Sequence, residues 1–191
     1  MQKVLQLYVY LLESEPVIWR RVLLSPATRL PHLHTVLQAV MGWENYHLHE
    51  FRSGYERYGP PDSDDGYDAL LQDESNVNVA RLLRKPGDSL TYEYDLGDSW
   101  LHAVVFETWH VPVPGRLYPV CVGGAQACPP EDSGGLHGYY HYLSVITDPT
   151  HEEHEELIGW RGTGFDPNRF DIARVNVALK PKGRRPGPKP V

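Results

Sequence analysis

The sequence predicts an α+β fold: an antiparallel sheet built from two hairpins plus a short strand, packed against several short helices. Three observations carry this expectation. Two pairs of β-forming runs are each joined by turn residues, an amphipathic stripe with helical spacing stands between the pairs, and helical spacing returns after Gly138.

The first run, Val4 to Leu12, is rich in β-formers and too short for a convincing helix, and Glu13-Ser14-Glu15-Pro16 turns it into a second run, Val17 to Leu24. Leu33, Val36, Leu37, Val40 and Met41 then recur at i, i+3, i+4, i+7 and i+8, with Pro31 suited to a first helical turn and Gly42 to a C-terminal stop. His47 to Arg52 reads as a short extended segment in which His47, His49 and Phe51 would share a face. Residues 60–68 read as an exposed acidic loop. Asp62, Asp64 and Gly66 partly match a calcium loop, but Asp73 stands where that motif needs its terminal Glu, so the match is set aside. Val79 to Leu83 suits one or two helical turns. Leu90, Tyr92 and Tyr94 alternate on one strand and Trp100, His102, Val104 and Phe106 on the next, with Asp95-Leu96-Gly97-Asp98 as the turn. From Pro112 to Gly138 the composition predicts a long irregular connection, of the kind that in compact domains is usually functional or mobile. Tyr139, Tyr142, Leu143 and Ile146 then fit a helix face, His151 to Ile158 an acidic helix, and Phe170 to Leu179 a last short apolar segment.

Length and charge divide the chain in two. At 191 residues one domain can bury roughly 70% of its unfolded surface, so residues 1–179 are assigned to a single domain. Residues 180–191 carry five basic side chains and no acid, which leaves 13 basic against 25 acidic residues, a net −12, in 1–179. An acidic body repels phosphates, so nucleic-acid contact is expected only through the basic, Pro/Gly-rich tail. There Gly183-Arg184-Arg185-Pro186-Gly187 approximates a minor-groove hook interrupted by one extra Arg, and a solubilising tail is the competing reading. No apolar run approaches the ~20 residues of a spanning helix, and the start lacks the pattern of a secretory leader, so a cytoplasmic protein without a membrane partner is expected. Cys121 and Cys128 are too few for a disulfide framework and too far apart for a zinc knuckle, which favours buried thiols.

Several blocks together resemble the plasmid pRiA4b ORF-3-like family: Ile18-Trp19-Arg20-Arg21, Met41-Gly42-Trp43, His47-Leu48-His49-Glu50-Phe51, Tyr92 through His102, Cys128-Pro129-Pro130-Glu131-Asp132-Ser133-Gly134-Gly135 with Gly138-Tyr139, and Asp148-Pro149 with His151-Glu152-Glu153-His154. The resemblance runs in order over residues 4–179. It implies a compact α+β domain often carried on bacterial chromosomes and mobile elements, and it implies no activity. Leu96 stands where the family usually has Phe, and Ser133 where it often has Val or Cys.

The chemistry-bearing residues come from three segments: His47 and His49; Asp95, Asp98 and His102; Glu131 and Asp132. With Trp43, Tyr94, Trp100 and Tyr139 they define a pocket expected near the second hairpin, suited to a small molecule or a protein partner. His47 and His49, with His102 beside them, could ligate a divalent metal, zinc or manganese, and an ion so held could support hydrolysis. The opposing reading satisfies His49 and His102 with Asp95 or Asp98, keeps the aromatics as core, and gives the carboxylates to backbone N–H groups of the turns. Glu131-Asp132 could be a general acid–base pair or part of a rigid turn. His151-Glu152-Glu153-His154 is one residue short of the metalloprotease spacing and is rejected on that ground.

Overall fold

The structure, a computed structural model, describes residues 3–61, 70–162 and 164–180. The acidic loop from Asp62 through Asp68 and the tail positions Arg184 and Arg185 lie outside the described residues. Eight strands form one sheet: β1 Val4–Leu11, β2 Trp19–Leu24, β3 His49–Ser53, β4 Glu56–Gly59, β5 Leu71–Asp73, β6 Ser89–Tyr94, β7 Trp100–His110 and β8 Val120–Ala125. Their spatial order is β5-β4-β3-β6-β7-β1-β2-β8. All neighbours are antiparallel except β4 and β5, which run parallel. Among the described residues five α-helices complete the α+β fold: α1 Leu30–Met41, α2 Val79–Leu82, α3 Gly135–Thr147, α4 His154–Arg161 and α5 Ile172–Ala178. None of them is long and apolar enough to cross a membrane.

Both expected hairpins form, and they are joined edge to edge. β1 pairs with β7 over its whole length, Leu7 opposite Phe106 and Leu11 opposite His102, so the hairpins make the centre of one sheet. Its inner face follows from period-two alternation: Leu5, Leu7, Val9 and Leu11 on β1, Tyr92 and Tyr94 on β6, and Trp100, His102, Val104 and Phe106 on β7 are all buried. α1 covers this face with Leu30, Leu33, Val36, Leu37 and Val40, each at most 2% exposed. Burying such a side chain contributes about 1.5–3 kcal/mol. Pro31 opens α1, and Gly42, at φ 96°, closes it in the left-handed conformation with its N–H on the Gln38 carbonyl. The outer face is half-buried and polar: Arg21 grips Glu107 bidentately at 2.6 and 2.7 Å, and Glu50 and Glu93 pair with Arg52.

The structure departs from the sequence reading at three places. The connection between residues 112 and 138 is not irregular throughout; it contains β8 and the first residues of α3. Gly123 and Gly124 hide this strand from propensity arguments, yet the missing side chains are why it fits: a Cβ at Gly123 would crowd the Trp19 ring at 3.3 Å and one at Gly124 would lie 2.5 Å from Phe170. Strands β4 and β5 add a parallel pair that a two-hairpin sheet lacks. The acidic helix starts at His154 rather than His151, after a turn closed by the His151 amide on the Asp148 carbonyl.

β8 ends the sheet, and α5 packs beside it. The Asn176 side chain accepts the Cys121 N–H at 2.8 Å and donates to the Cys121 carbonyl at 2.9 Å, as a neighbouring strand would.

Candidate functional site

The β6–β7 turn and the segment before α3 are brought together by glycines. Gly134 donates its N–H to Oδ2 of Asp98 at 2.9 Å, and a Cβ at Gly135 would lie 2.7 Å from the Asp98 carbonyl oxygen. Gly138 folds the start of α3 so tightly that a Cβ there would overlap the Ser133 carbonyl. Asp98 therefore positions the 131–134 segment.

Glu131 and Asp132 are delivered by this contact to the side of Asp95. Asp95 uses Oδ1 to accept the Gly97 and Asp98 amides at 3.0 and 3.3 Å, while its Oδ2 stands 3.5 Å from Nε2 of His47. The same Nε2 is 2.9 Å from Oδ1 of Asp132 and 3.8 Å from Oε2 of Glu131. Despite that 2.9 Å approach, Nε2 is shielded from solvent and lacks hydrogen-bond geometry to any partner among the described residues. The short distance marks convergence on a shared point rather than a formed hydrogen bond. Asp95 and Asp132 both hold left-handed backbones, φ 58° and 56°, a conformation that costs a non-glycine residue about 1–2 kcal/mol.

Glu131 is fixed from behind. Its carboxylate accepts the Glu44 amide at 2.7 Å and the Tyr94 hydroxyl at 3.1 and 3.2 Å, and the Tyr46 amide donates to that hydroxyl. Burial pushes the Tyr94 phenol up to about 12, with the Glu131 charge adding to the effect, so the O–H remains a donor to the carboxylate. Exposure runs in one direction across the group. The Glu131 and Asp95 side chains are 8% and 11% exposed, His47 29% and Asp132 63%. Glu131 also lines a cleft with Trp43 and Arg161, and Asp132 lines another with His141 and Trp160.

The other residues expected in the pocket lie elsewhere. β3 begins at His49, so the alternation that turns His49 and Phe51 inward does not extend back to His47. His49 is buried under α1, stacked 3.6 Å from the His34 ring with its Nε2 3.1 and 3.2 Å from the oxygens of Glu74. His102 is fully buried, its Nδ1 2.9 Å from the Trp100 carbonyl, and burial lowers its pKa to about 4. His47, His49 and His102 therefore do not surround one point. Trp100 and Tyr139 belong to the core, and Trp43 ties its indole N–H to the Pro129 carbonyl at 3.0 Å, which steadies the segment carrying Glu131. Cys121 and Cys128 are free thiols, and burial pushes Cys128 up to about 12. Sequence reasoning missed Glu44, Tyr46 and Glu74. The first two act through backbone amides that carry no residue signature. Glu74 lies in a one-turn 3-10 helix, Glu74–Asn76, far in sequence from its partner.

Comparison with known proteins places the chain in a family. The family model described as plasmid pRiA4b ORF-3-like protein matches residues 3–174. The chain belongs to the plasmid pRiA4b ORF-3-like family. It is 36% identical over 178 residues to the uncharacterized protein y4hQ of Sinorhizobium fredii (strain NBRC 101917 / NGR234), covering 92% of this chain and 90% of that protein. It is also similar to the crystal structure of a protein of unknown function, MM3350 from Methanosarcina mazei Go1, with TM-score 0.81 and 34% identity over 91% of this chain and 97% of the other. In this pRiA4b ORF-3-like chain, His47, Asp95 and Asp132 offer ligand atoms that all lie within 4.8 Å of one another.

Proposed function

We propose that this pRiA4b ORF-3-like protein is a ligand-binding domain whose ligand site is a divalent-cation centre at His47, Asp95 and Asp132, with the Glu131 carboxylate adding negative charge beside it. The observation that carries the reading is the shielded Nε2 of His47, which has no hydrogen bond although three carboxylates stand 2.9, 3.5 and 3.8 Å away. Donors about 2.1 Å from one ion stand roughly 3.0–4.2 Å apart; the 3.5 Å from His47 to Asp95 lies in that range and the 2.9 Å to Asp132 just below it. One imidazole with hard carboxylate oxygens suits manganese or zinc. Glu44, Tyr46 and Tyr94 supply the outer hydrogen bonds that hold Glu131.

A second reading, metal-assisted hydrolysis, is favoured by the exposure of Asp132. A centre open on that side keeps positions for water, whose pKa a bound ion lowers. The test is metal analysis of purified protein equilibrated with Mn2+ or Zn2+ and then freed of excess. About one ion per chain is expected for the wild type and for His49→Ala, with loss in His47→Gln and in Asp95→Asn. Equal metal in wild type and His47→Gln would overturn the proposal. Hydrolysis of an activated ester that is abolished by His47→Gln would support the second reading.

A further inference from the structure

A different chemistry occupies the cleft between the end of α1, the chain after β8 and α5. This cleft of about 470 Å3 has apolar walls contributed by Val40, Trp43, Phe165, Phe170, Val175 and Ala178. That volume lies within the range of small-ligand sites. Arg20, on the inner face of β2, forms part of its wall although it is only 2% exposed.

Arg20 is a buried cation without a counter-charge. It forms no salt bridge with any described carboxylate, and its charge is felt by the thiols of Cys121 and Cys128 and by the buried His102. Of its five N–H donors, three are used: Nε on the Val40 carbonyl at 2.7 Å, and Nη1 on the carbonyls of Trp19 and Ala125 at 2.7 and 2.8 Å. The two on Nη2 meet no acceptor among the described residues. The Phe170 ring lies 4.3 Å from the guanidinium carbon, and the absence of a side chain at Gly124 is what lets it lie there. Carbonyl dipoles, including one from the last turn of α1, offset part of the cost of burying this charge, and an anion would offset more.

The cleft's charge is restricted. Arg20, Arg169 and Arg174 stand against Asp166 and Asp171, one net positive charge, and the two acids already accept the amides of Asn168 and Arg174. A dianion would meet both acids, whereas a monoanion balances the cleft. We propose that this cleft binds small monocarboxylates with an apolar body, the carboxylate on Nη2 of Arg20 and the body between Phe165, Phe170 and α5. This site is independent of the His47 centre and shares none of its ligand residues.

The experiment is calorimetric titration of the full chain with 4-phenylbutyrate and with its neutral counterpart 4-phenylbutan-1-ol. The acid is expected to bind at least about tenfold more tightly than the alcohol, the worth of one charge-assisted hydrogen bond. Ala178→Trp, which fills the cleft from an exposed position on α5, is expected to abolish binding while the thermal midpoint stays unchanged. Arg20→Gln is expected to remove the preference for the acid. Should Arg20→Gln fail to fold, Ala178→Trp still decides. No saturable binding of 4-phenylbutyrate at millimolar concentration, equal binding of acid and alcohol, or binding that survives Ala178→Trp would each overturn the proposal.

Discussion

His47 and His49 are two residues apart in the chain and end in opposite chemical situations. His49 lies under α1 in a closed circuit: its Nε2 on Glu74, its ring on His34, His34 between the Tyr92 hydroxyl at 2.8 Å and Oδ1 of Asn45 at 2.6 Å, and the Gln38 side chain bridging Tyr92 and the Asn45 amide. His47 lies at the mouth of the β6–β7 turn among three carboxylates, without a formed hydrogen bond. A buried polar group whose partners are all present stiffens the fold and specifies how α1 seats on the sheet. A polar group that is shielded and surrounded by one sign of charge can accept a cation, as the proposed centre requires. On that proposal the pair of histidines separates structural from functional polarity within one short segment.

Acidification presses hardest on the deeply buried histidines, His34 within the circuit and His102 beside Trp43. Burial lowers His34 to about 4, with neighbouring His49 adding to the shift, and burial lowers His102 to about 4 as well. In the unfolded chain both take up a proton near 6.5, so between about 6.5 and 4 the unfolded state binds more protons than the native one. Their stabilising contribution is complete above 6.5 and is lost as pH falls toward 4, by about 3 kcal/mol for each histidine. Urea midpoints at several pH values should show this slope, and His102→Leu should flatten its share; an unchanged slope in that variant would break the distinction.

Glu74→Ala is the next largest perturbation. It leaves the buried Nε2 of His49 without its partner, and a loss of about 2–3 kcal/mol is expected by denaturant unfolding, with metal content unaltered. Smallest in stability is Asp132→Asn, whose side chain tolerates the left-handed backbone: a change within about 0.5 kcal/mol is expected, together with at least a tenfold loss of metal affinity. Stability effects of equal size in Glu74→Ala and Asp132→Asn would mean that the two groups do the same job.

Much of this architecture can be read from residues alone. The alternation in β1, β6 and β7 and the stripe and Gly42 stop of α1 follow local rules, whereas the approach of His47, Asp95 and Glu131-Asp132 depends on contacts remote in sequence. Period-two alternation does not reveal where a strand begins, and so it joins His47 to the face of His49 although β3 starts two residues after His47. Nor does alternation give depth. His102 occupies the inward position expected of it, but α1 and the neighbouring Trp43 ring seal it from any ligand. β8 eluded propensity because its glycines serve contacts with Trp19 and Phe170, which are remote in sequence. The double glycine before α3 was a readable sign of close backbone approach, though not of the turn it approaches.

The amide side chain that closes the outer strand gives α5 a protective task. Asn176 occupies the Cys121 N–H and carbonyl, the groups through which a β8 from another molecule would start to add. In a crowded cell an open ladder of this kind recruits strands from other copies and seeds aggregates. α5 therefore shields part of the edge of β8, and shortening the chain before residue 172 would leave the Cys121 N–H and carbonyl open to another strand.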